Sequence, residues 1–377
     1  MKKRVAVLGA TGSIGRSTLD ILRKQRDRFE PVLFTAGKNT KELLKLKDEF
    51  PGALTALASE SGPEGILDAI AAARADITVN GISGAAGLEP SAAVINAGSD
   101  LALANKETIV MAGPIILNMA SEKKTRIIPV DSEHSALSKL LLAHGRENIS
   151  ELILTASGGP FKDYPMEKLI SVTPDEARAH PTWNKGHKIS VDSATMANKG
   201  LEVIEAAYLF GFPPEKIKVV IHPQSIVHSM VRLKNGAVYA QMSKPDMRLP
   251  IHDALCWPET EESSFGVLDF GATGFDSLSL SFEKPDFERF PMLALAYKAL
   301  EDGTCLPVAY NAANEIAVEA FFAGKIGFLE ISLLVGYVLG KCMPKIEGAK
   351  SIEDVLSLDR EAREIARLQD FSGRERC

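Results

Sequence analysis

The fold of this chain is decided by the stretch RVAVLGATGSIG, residues 4–15. An apolar run ends at Leu8, glycines follow at positions 9, 12 and 15, and an amphipathic pattern continues to about Arg26. Strand, glycine turn and helix in this order predict a dinucleotide-binding unit, because the glycines admit the backbone to a pyrophosphate and the helix N-terminus faces it. The alternative is a tight turn between strand and helix that binds no ligand.

The end of the next predicted strand, residues 31–36, indicates which dinucleotide is bound. NAD enzymes usually place a carboxylate here for the ribose 2′-hydroxyl. This chain has Gly37, Lys38 and Asn39 instead, and Glu30 lies at the opposite end of the strand. A cation without a neighbouring carboxylate suits a 2′-phosphate, so we expect NADPH rather than NADH. Lys38 as an ordinary solvated loop residue is the alternative.

Composition limits the class of protein. The chain has 377 residues, more than one core usually holds, so two or three domains are expected. Its formal net charge of -6 and the lack of a basic block argue against a nucleic-acid partner. No apolar run approaches the roughly 20 residues that span a bilayer, so no membrane partner is expected.

The N-terminal residues and the cysteines indicate the cellular compartment of the protein. The basic start is followed at once by the apolar run and the glycine turn, which predicts a first strand rather than a signal peptide. The four cysteines are scattered without a Cys-x-x-Cys pair, which favours a reduced, cytoplasmic protein without thiolate metal sites. They are Cys256, Cys305, Cys342 and Cys377.

Charged residues follow two further predicted strands. Lys106 comes after residues 101–104 and could contact cofactor or substrate; a surface Lys–Glu pair with Glu107 is the alternative. Asp131 and Glu133 come after residues 126–130 and share one face if strand geometry persists. Two carboxylates held together favour a hard cation such as Mg²⁺ or Mn²⁺ between them. The alternative is an N-cap aspartate with a glutamate in the first helical turn, and His134 is expected to be a polar neighbour rather than a ligand.

Residues 191–202, VDSATMANKGLE, are expected to form a loop that runs into a helix. Helical spacing places Asn198, Lys199 and Glu202 on one face, with Ser193 just upstream. Amide, ammonium and hydroxyl suit an oxyanion such as phosphate, and the carboxylate suits a cation. The alternative is a capped surface helix with a Lys–Glu pair. Ser157 precedes two glycines and predicts a second anion nest, for which a plain turn is the alternative.

The remaining pattern predicts the domain organisation. Strands near 219–221, 226–233 and 238–242 indicate a mixed or antiparallel sheet, and periodicity is lost from 257 to 286. Helices are expected near 292–301, 312–323, 328–341 and 352–368. We therefore predict an α/β protein with a Rossmann-like NADPH domain (1–125), a central α+β catalytic domain (126–256), a linker (257–285) and a C-terminal α-helical bundle domain (286–377). A Trp between Pro and Gly near 180–187 predicts a lid, with a loop pinned by a buried indole as the alternative.

Together these residues resemble the 1-deoxy-D-xylulose 5-phosphate reductoisomerase family over essentially the whole chain. The resemblance is carried by motifs in the same order as in the family: GATGSIG (9–15), ANKE (104–107), PVDSEH (129–134), SGGPF (157–161), VDSATM (191–196), NKGLE (198–202), HPQS (222–225) and NAANE (311–315). It implies conversion of 1-deoxy-D-xylulose 5-phosphate to 2-C-methyl-D-erythritol 4-phosphate, in non-mevalonate isoprenoid precursor biosynthesis. It also implies a homodimer that uses NADPH and a divalent metal (Mg²⁺, Mn²⁺ or Co²⁺).

The resemblance also implies roles for individual residues. The metal ligands would be Asp131, Glu133 and Glu202, which with Lys106 form the catalytic set. The phosphate contacts would be Ser157, Ser193, Asn198 and Lys199, and further substrate contacts would be Lys106, Ser132, Glu133, His180 and Glu202. The NADPH contacts would be Thr11, Gly12, Ser13, Ile14, Gly37, Lys38, Asn39, Asn105 and Glu107. The flap would comprise His180, Pro181, Trp183 and Lys185, and the family often has Met where this chain has Lys185.

Two other functions are compatible with parts of the pattern. An NADP-dependent semialdehyde dehydrogenase shares the glycine spacing, but it needs an active cysteine, and Cys256 at a domain edge is a poor candidate. A metabolite-sensing nucleotide-binding protein without activity would not need three carboxylates beside a phosphate site.

Overall fold

The computed structural model describes residues 1–178, 187–271, 277–303, 305–342 and 348–369, except the side chains of Arg178 and His187. The chain divides into two compact units. The first comprises residues 1–108, 114–144 and 241–277, and the second comprises 109–113, 145–240 and 278–377. The functional domain boundaries expected from the sequence stay a prediction.

The first unit is built on a parallel sheet of six strands. These are β1 (Lys3–Leu8), β2 (Phe29–Ala36), β3 (Leu54–Leu57), β4 (Ile77–Asn80), β5 (Asp100–Leu103) and β6 (Ile127–Pro129). Their order is β3-β2-β1-β4-β5-β6, and the neighbouring strands run parallel. This is the doubly wound order with its switch point between β1 and β4, where such sheets bind ligands. The predicted Rossmann-like fold is confirmed.

Helices connect these strands, and one more follows β6. They are α1 (Ser13–Lys24), α2 (Thr40–Glu49), α3 (Ala58–Ala73), α4 (Leu88–Asn96), α5 (Lys106–Lys123) and α6 (Ser132–His144). The inner strands are buried almost throughout, as expected for a sheet covered on both faces. A later helix, α11 (Arg248–Cys256), adds Ile251 and Leu255 to the same core and accepts a hydrogen bond at the Leu255 carbonyl from Lys3 Nζ (2.7 Å). The sequence pattern did not predict α11.

The second unit contains a mixed sheet of four strands. β7 (Ile149–Ala156) pairs in parallel with β8 (Ile217–Ile221) and antiparallel with β9 (Val227–Leu233), and β10 (Val238–Met242) forms the edge beyond β9. The predicted mixed sheet is confirmed. Short helices follow β7, namely α7 (Met166–Leu169) and α8 (Pro174–Arg178), and then α9 (His187–Ala194) and α10 (Ala197–Phe210).

Among the described residues, the C-terminal part of this unit forms the helices α12 (Met292–Asp302), α13 (Leu306–Phe322), α14 (Glu330–Cys342) and α15 (Ile352–Leu368). All four were predicted, but α13 begins six residues earlier than expected, because Pro307 is tolerated in a first helical turn. Residues 257–271 and 277–291 form no helix, as their lost periodicity predicted, and Glu283 makes a bridge to Ile221. Within the ranges given above, no helix is long and apolar enough to cross a membrane.

Candidate active site

The glycine turn after β1 brings backbone N–H groups to the start of α1. Gly9 adopts φ +76°, and a Cβ there would lie 3.0 Å from the Gly81 carbonyl oxygen. A side chain on Gly15 would collide with the Gly9 carbonyl. Gly12 is extended at the N-cap and has no side chain to cap the helix. The first N–H groups of α1 can therefore bind an anion such as a pyrophosphate, and the neighbouring Thr11, Ser13 and Ile14 are partly or fully exposed.

The segment after β2 is exposed and carries the predicted cofactor residues. Gly37, Lys38 and Asn39 all lie at the surface. The Asn39 side chain caps α2 by accepting a hydrogen bond from the Glu42 N–H (3.2 Å). The Glu42 carboxylate pairs with Lys45 at 2.7 Å. Lys38 is therefore the residue of the predicted trio whose side chain has the charge to bind a phosphate.

Asn105 has a structural position that the sequence did not indicate. It is buried, and its Nδ2 donates to the Ile82 and Gly84 carbonyls at 2.8 and 2.9 Å and to Glu107 Oε2 at 3.0 Å. Its Oδ1 accepts from the Thr108 N–H at 3.0 Å, which caps α5. Asn105 thus fixes the loop after β4 to the start of α5, and Glu107 is part of that buried cluster.

Lys106 lies beside Asp131 at the carboxyl ends of β5 and β6. Lys106 Nζ is 2.5 Å from Asp131 Oδ2, and both side chains are 12% exposed. His134 is fully buried, with Nδ1 3.6 Å from Asp131 Oδ1. Burial alone would raise the pKa of Asp131, but the Lys106 ammonium and the neighbouring His134 hold that pKa well below its usual range. Asp131 is therefore an ionised carboxylate at neutral pH, and Lys106, at 12% exposure, is not a surface residue.

The residues after Asp131 do not continue the strand. The prediction that Asp131 and Glu133 share a strand face is wrong, because α6 already begins at Ser132. Asp131 accepts at its carbonyl from the Ser135 N–H (2.8 Å), so it occupies the N-cap position, and Glu133 lies in the first turn. The Ser132 hydroxyl donates to the Glu133 carboxylate. The carboxylate oxygens are thus presented by a helix start, where negative charge is stabilised.

In the second unit, two loops meet at the end of β7. Ser157 follows β7, and Gly158 and Gly159 adopt φ +87° and +73°. A Cβ on Gly159 would lie 2.5 Å from the Ser193 carbonyl oxygen, so glycine is needed for this close approach. The two serines predicted to contact an oxyanion are therefore on segments that pack directly against each other.

The local structure of residues 191–202 differs from the prediction. Residues 191–194 are the last turn of α9 rather than a loop. The chain then turns through Met196, which adopts φ +65°, and α10 begins at Ala197. Thr195 Oγ1 accepts from the Ala197 N–H (3.3 Å), so a hydroxyl does lie at the start of α10.

Asn198, Lys199 and Glu202 lie on one face of α10, as their spacing predicted. Asn198 Nδ2 donates to one Glu202 carboxylate oxygen and Lys199 Nζ to the other. The alternative of a surface pair is wrong, because the Lys199 and Glu202 side chains are only 4% and 1% exposed. α10 is held close to its neighbours, since a Cβ on Gly200 would lie 2.6 Å from Tyr310 Oη. Buried ion pairs are expensive to desolvate, so this one is better explained by binding than by stability.

The predicted flap residues His180, Pro181, Trp183 and Lys185 lie outside the described residues.

Two polar residues of the second unit form a contact that the sequence did not predict. Asp192 is buried on α9 and accepts a hydrogen bond from Asn314 Nδ2 at 2.8 Å. Asn314 lies in the middle of α13, so its side chain does not cap that helix. The aspartate of VDSATM was the available signal, but its partner is 122 residues away.

Comparisons with known proteins agree over nearly the whole length. The family model described as 1-deoxy-D-xylulose 5-phosphate reductoisomerase matches residues 5–62 and 52–113. The model of its C-terminal domain matches residues 127–210, and a model described as DXP reductoisomerase C-terminal domain matches 242–365. A relative from Chlorobaculum tepidum with the same description is 46% identical, with 97% of this chain and 99% of the relative covered. The chain belongs to the 1-deoxy-D-xylulose 5-phosphate reductoisomerase family.

Solved structures of reductoisomerases have the same fold. The enzyme from Zymomonas mobilis in complex with NADPH superposes with a TM-score of 0.86 at 40% identity, covering 97% of this chain and 98% of that chain. A reductoisomerase in complex with NADPH, fosmidomycin and magnesium gives a TM-score of 0.88 at 37% identity, with 97% of both chains covered. Among curated relatives, the reductoisomerase from Treponema denticola is 47% identical, with 97% and 96% covered.

Proposed function

We propose that this chain converts 1-deoxy-D-xylulose 5-phosphate to 2-C-methyl-D-erythritol 4-phosphate with NADPH and a divalent metal ion. The observation that carries this proposal is the near-complete match to a reductoisomerase solved with NADPH, fosmidomycin and magnesium. The ionised Asp131 and the buried Glu202 supply the hard oxygen donors that such an ion requires.

NADPH is assigned to the first unit. The residues proposed to contact it are Thr11, Gly12, Ser13, Ile14, Gly37, Lys38, Asn39, Asn105 and Glu107. The open N-terminus of α1 suits the pyrophosphate, and exposed Lys38 suits the 2′-phosphate. Asn105 would act mainly through its backbone and through the loop that it fixes, since its side-chain amide already has three acceptors.

Asp131, Glu133 and Glu202 are proposed to hold the metal ion. All three offer carboxylate oxygens, which suit Mg²⁺ or Mn²⁺. When bound, the ion supplies Lewis-acid polarisation of adjacent substrate oxygens, and NADPH supplies the hydride for the reduction. Lys106 keeps Asp131 ionised and can donate a hydrogen bond to a substrate oxygen from the same position.

The substrate phosphate is assigned to the second unit. Ser157, Ser193, Asn198 and Lys199 are proposed to bind it. In this structure Asn198 and Lys199 donate to Glu202, so a bound phosphate would compete for the same donors. We propose further substrate contacts from Ser132, Glu133 and His180. The segment with Pro181, Trp183 and Lys185 is proposed to be the lid, and Lys185 is expected to affect its closure.

The domain functions follow the sequence-based boundaries. We propose that residues 1–125 form the NADPH-binding domain and that residues 126–256 form the catalytic domain, which contains the metal site, the phosphate site and the flap. Residues 257–285 would be the linker to a supporting helical domain of residues 286–377.

We also propose that the protein is a cytoplasmic homodimer. The edge strand β10 supports a dimer because Val238 and Tyr239 are each 44% exposed on the last strand of the sheet, and edge strands commonly pair with another chain. Sedimentation at the mass of a single chain would refute it.

The two alternative functions find no support. Cys256 is buried, and that burial raises the pKa of its thiol, whereas a semialdehyde dehydrogenase needs an accessible thiolate. The decisive assay follows NADPH absorbance after addition of 1-deoxy-D-xylulose 5-phosphate. We expect oxidation with Mg²⁺ or Mn²⁺, none with a chelator, and recovery when the metal is restored. A protein that binds NADPH and the substrate without metal-dependent oxidation would instead be a sensor.

A further inference from the structure

Asp192 is a buried carboxylate for which the proposed chemistry has no use. Its side chain is 2% exposed on α9. Lys188, one turn earlier, donates to Oδ2 at 2.7 Å. Asn314 Nδ2, from α13, donates to Oδ1 at 2.8 Å. Each oxygen of Asp192 thus has a fixed donor, one from its own helix and one from a distant helix.

Asn314 is suited to hold this carboxylate in one place. It is fully buried in the middle of α13, where its side chain cannot be moved without repacking the helix. Its amide must present nitrogen to Asp192, because the opposite orientation would place two oxygens together. Tyr310, one turn earlier on α13, is also fully buried and donates to the Met292 carbonyl at 3.1 Å. The Asp192–Asn314 hydrogen bond therefore ties α9 to a rigid part of the second unit.

The residue after Asp192 connects this bond to the phosphate site. Ser193 is proposed to contact the phosphate, and its carbonyl oxygen packs against Gly159 of the Ser157 loop. The chain then makes the left-handed turn at Met196 and enters α10 with Asn198 and Lys199. A shift of the last turn of α9 would consequently displace donors on both sides of the oxyanion.

We propose that Asp192 and Asn314 are positioning residues for the substrate phosphate, acting through Ser193 and Gly159 rather than by touching the ligand. This inference rests on the proposed function for the identity of the phosphate. The bond between α9 and α13 sets the spacing between the Ser157 loop and the start of α10, and it thereby determines phosphate affinity.

Two variants test the inference. Asp192→Asn removes the charge that anchors the end of α9, and Asn314→Leu removes the donor while keeping similar volume. For both, we expect the KM for 1-deoxy-D-xylulose 5-phosphate to rise about tenfold, because the phosphate donors are misplaced, while kcat changes less than about threefold. The KM for NADPH should stay within about twofold, since the residues proposed to bind it belong to the first unit.

Asp359→Asn is a matched control. Asp359 is likewise a buried aspartate in the second unit with a basic partner four residues away, Arg363 at 2.7 Å, but it lies on α15. Its loss should lower the melting temperature without changing the KM for the phosphorylated substrate. A control variant with the same KM increase would show that general loosening of the unit is the cause, and it would overturn the proposal.

A second measurement does not depend on catalysis. Inorganic phosphate should raise the melting temperature of the wild-type protein and of Asp359→Asn, and the concentration needed should rise about tenfold in the two test variants. If Asp192→Asn does not fold, Asn314→Leu decides the question. An unchanged phosphate response in either folded test variant would overturn the inference. A wild-type protein that phosphate does not stabilise would refute the phosphate site and this inference together, whereas missing turnover alone would refute only the proposed reaction.

Discussion

Replacing Glu202 by Gln removes one negative charge from the interior of the second unit and changes almost no volume. The Glu202 carboxylate accepts from Asn198 and from Lys199, and the side chain is 1% exposed. In the variant the amide can still accept one hydrogen bond. Lys199, which is 4% exposed, would remain as a buried ammonium without this counter-charge.

The expected effect on stability follows from that burial. Removing one partner of a buried ion pair typically costs about 3–5 kcal/mol, because the remaining charge stays desolvated. The free energy of unfolding, measured by urea titration, should fall by about 3 kcal/mol, since the remaining hydrogen bond places this case at the low end of that range. NADPH binding should change little, because the residues proposed to bind it belong to the first unit.

Turnover should fall much further than stability explains. Loss of one of three proposed metal ligands should lower kcat at least about a hundredfold, even at saturating Mg²⁺ and with the folded fraction taken into account. The double variant Lys199→Met/Glu202→Leu separates the two effects. Apolar replacement of both partners should restore much of the stability and none of the turnover. A folded Glu202→Gln protein with turnover within about tenfold of wild type would refute the assignment of Glu202 to the metal.

Three other predictions test the remaining parts of the site. Lys38→Glu should raise the KM for NADPH at least about tenfold and leave the KM for NADH unchanged, as measured by steady-state kinetics with each cofactor. Equal changes in the two KM values would contradict a contact between Lys38 and the 2′-phosphate. In wild type, the lowered pKa of Asp131 contributes stability that is complete above about pH 4 and is lost as the pH falls further. In Lys106→Met, the free energy of unfolding should therefore fall less between neutral and acidic pH than it does in wild type. The same dependence of unfolding free energy on pH in both proteins would mean that Lys106 does not lower the pKa of this carboxyl. Gly236→Ala should lower the free energy of unfolding by about 1–2 kcal/mol, from left-handed backbone strain alone, because its Cβ would meet open space. Gly159→Ala should lower the free energy of unfolding further, and only this variant should weaken substrate binding.

Local patterns predicted much of the fold. The strand, glycine turn and helix at residues 4–26 could be recognised because each step depends on neighbours in sequence. β3 was missed because only the last two of its four residues are buried, so Leu54–Leu57 show no clear apolar run, and their strand character depends on pairing with β2. α11 was missed because its residues pack on a core formed by the first strands, more than 200 positions earlier.

The candidate site shows the same limit. Spacing alone placed Asn198, Lys199 and Glu202 on one face, because helical geometry is local. It could not reveal that Lys199 and Glu202 are buried, since burial depends on tertiary packing rather than on spacing along the helix. The start of α6 was misjudged for a related reason: Asp131 can end a strand or cap a helix with the same sequence, and the Ser135 N–H, which bonds to the Asp131 carbonyl, selects the cap.

Buried charge by itself does not identify a functional site in this protein. Arg363 forms close ion pairs with Glu315 and Asp359 at 2.7 Å, and these three residues join α13 to α15. What distinguishes the Lys199–Glu202 pair is the strained backbone beside it. Gly159 and Met196 both adopt positive φ within a few residues of the proposed phosphate donors, and Met196 has no glycine-like freedom to do so without strain. A helix pair that only needed stability could avoid both the buried charge and the strained turn. Their coincidence at the end of α9 is therefore better explained by ligand binding, and this explains why the anchoring of that helix by Asp192 should affect substrate affinity more than stability.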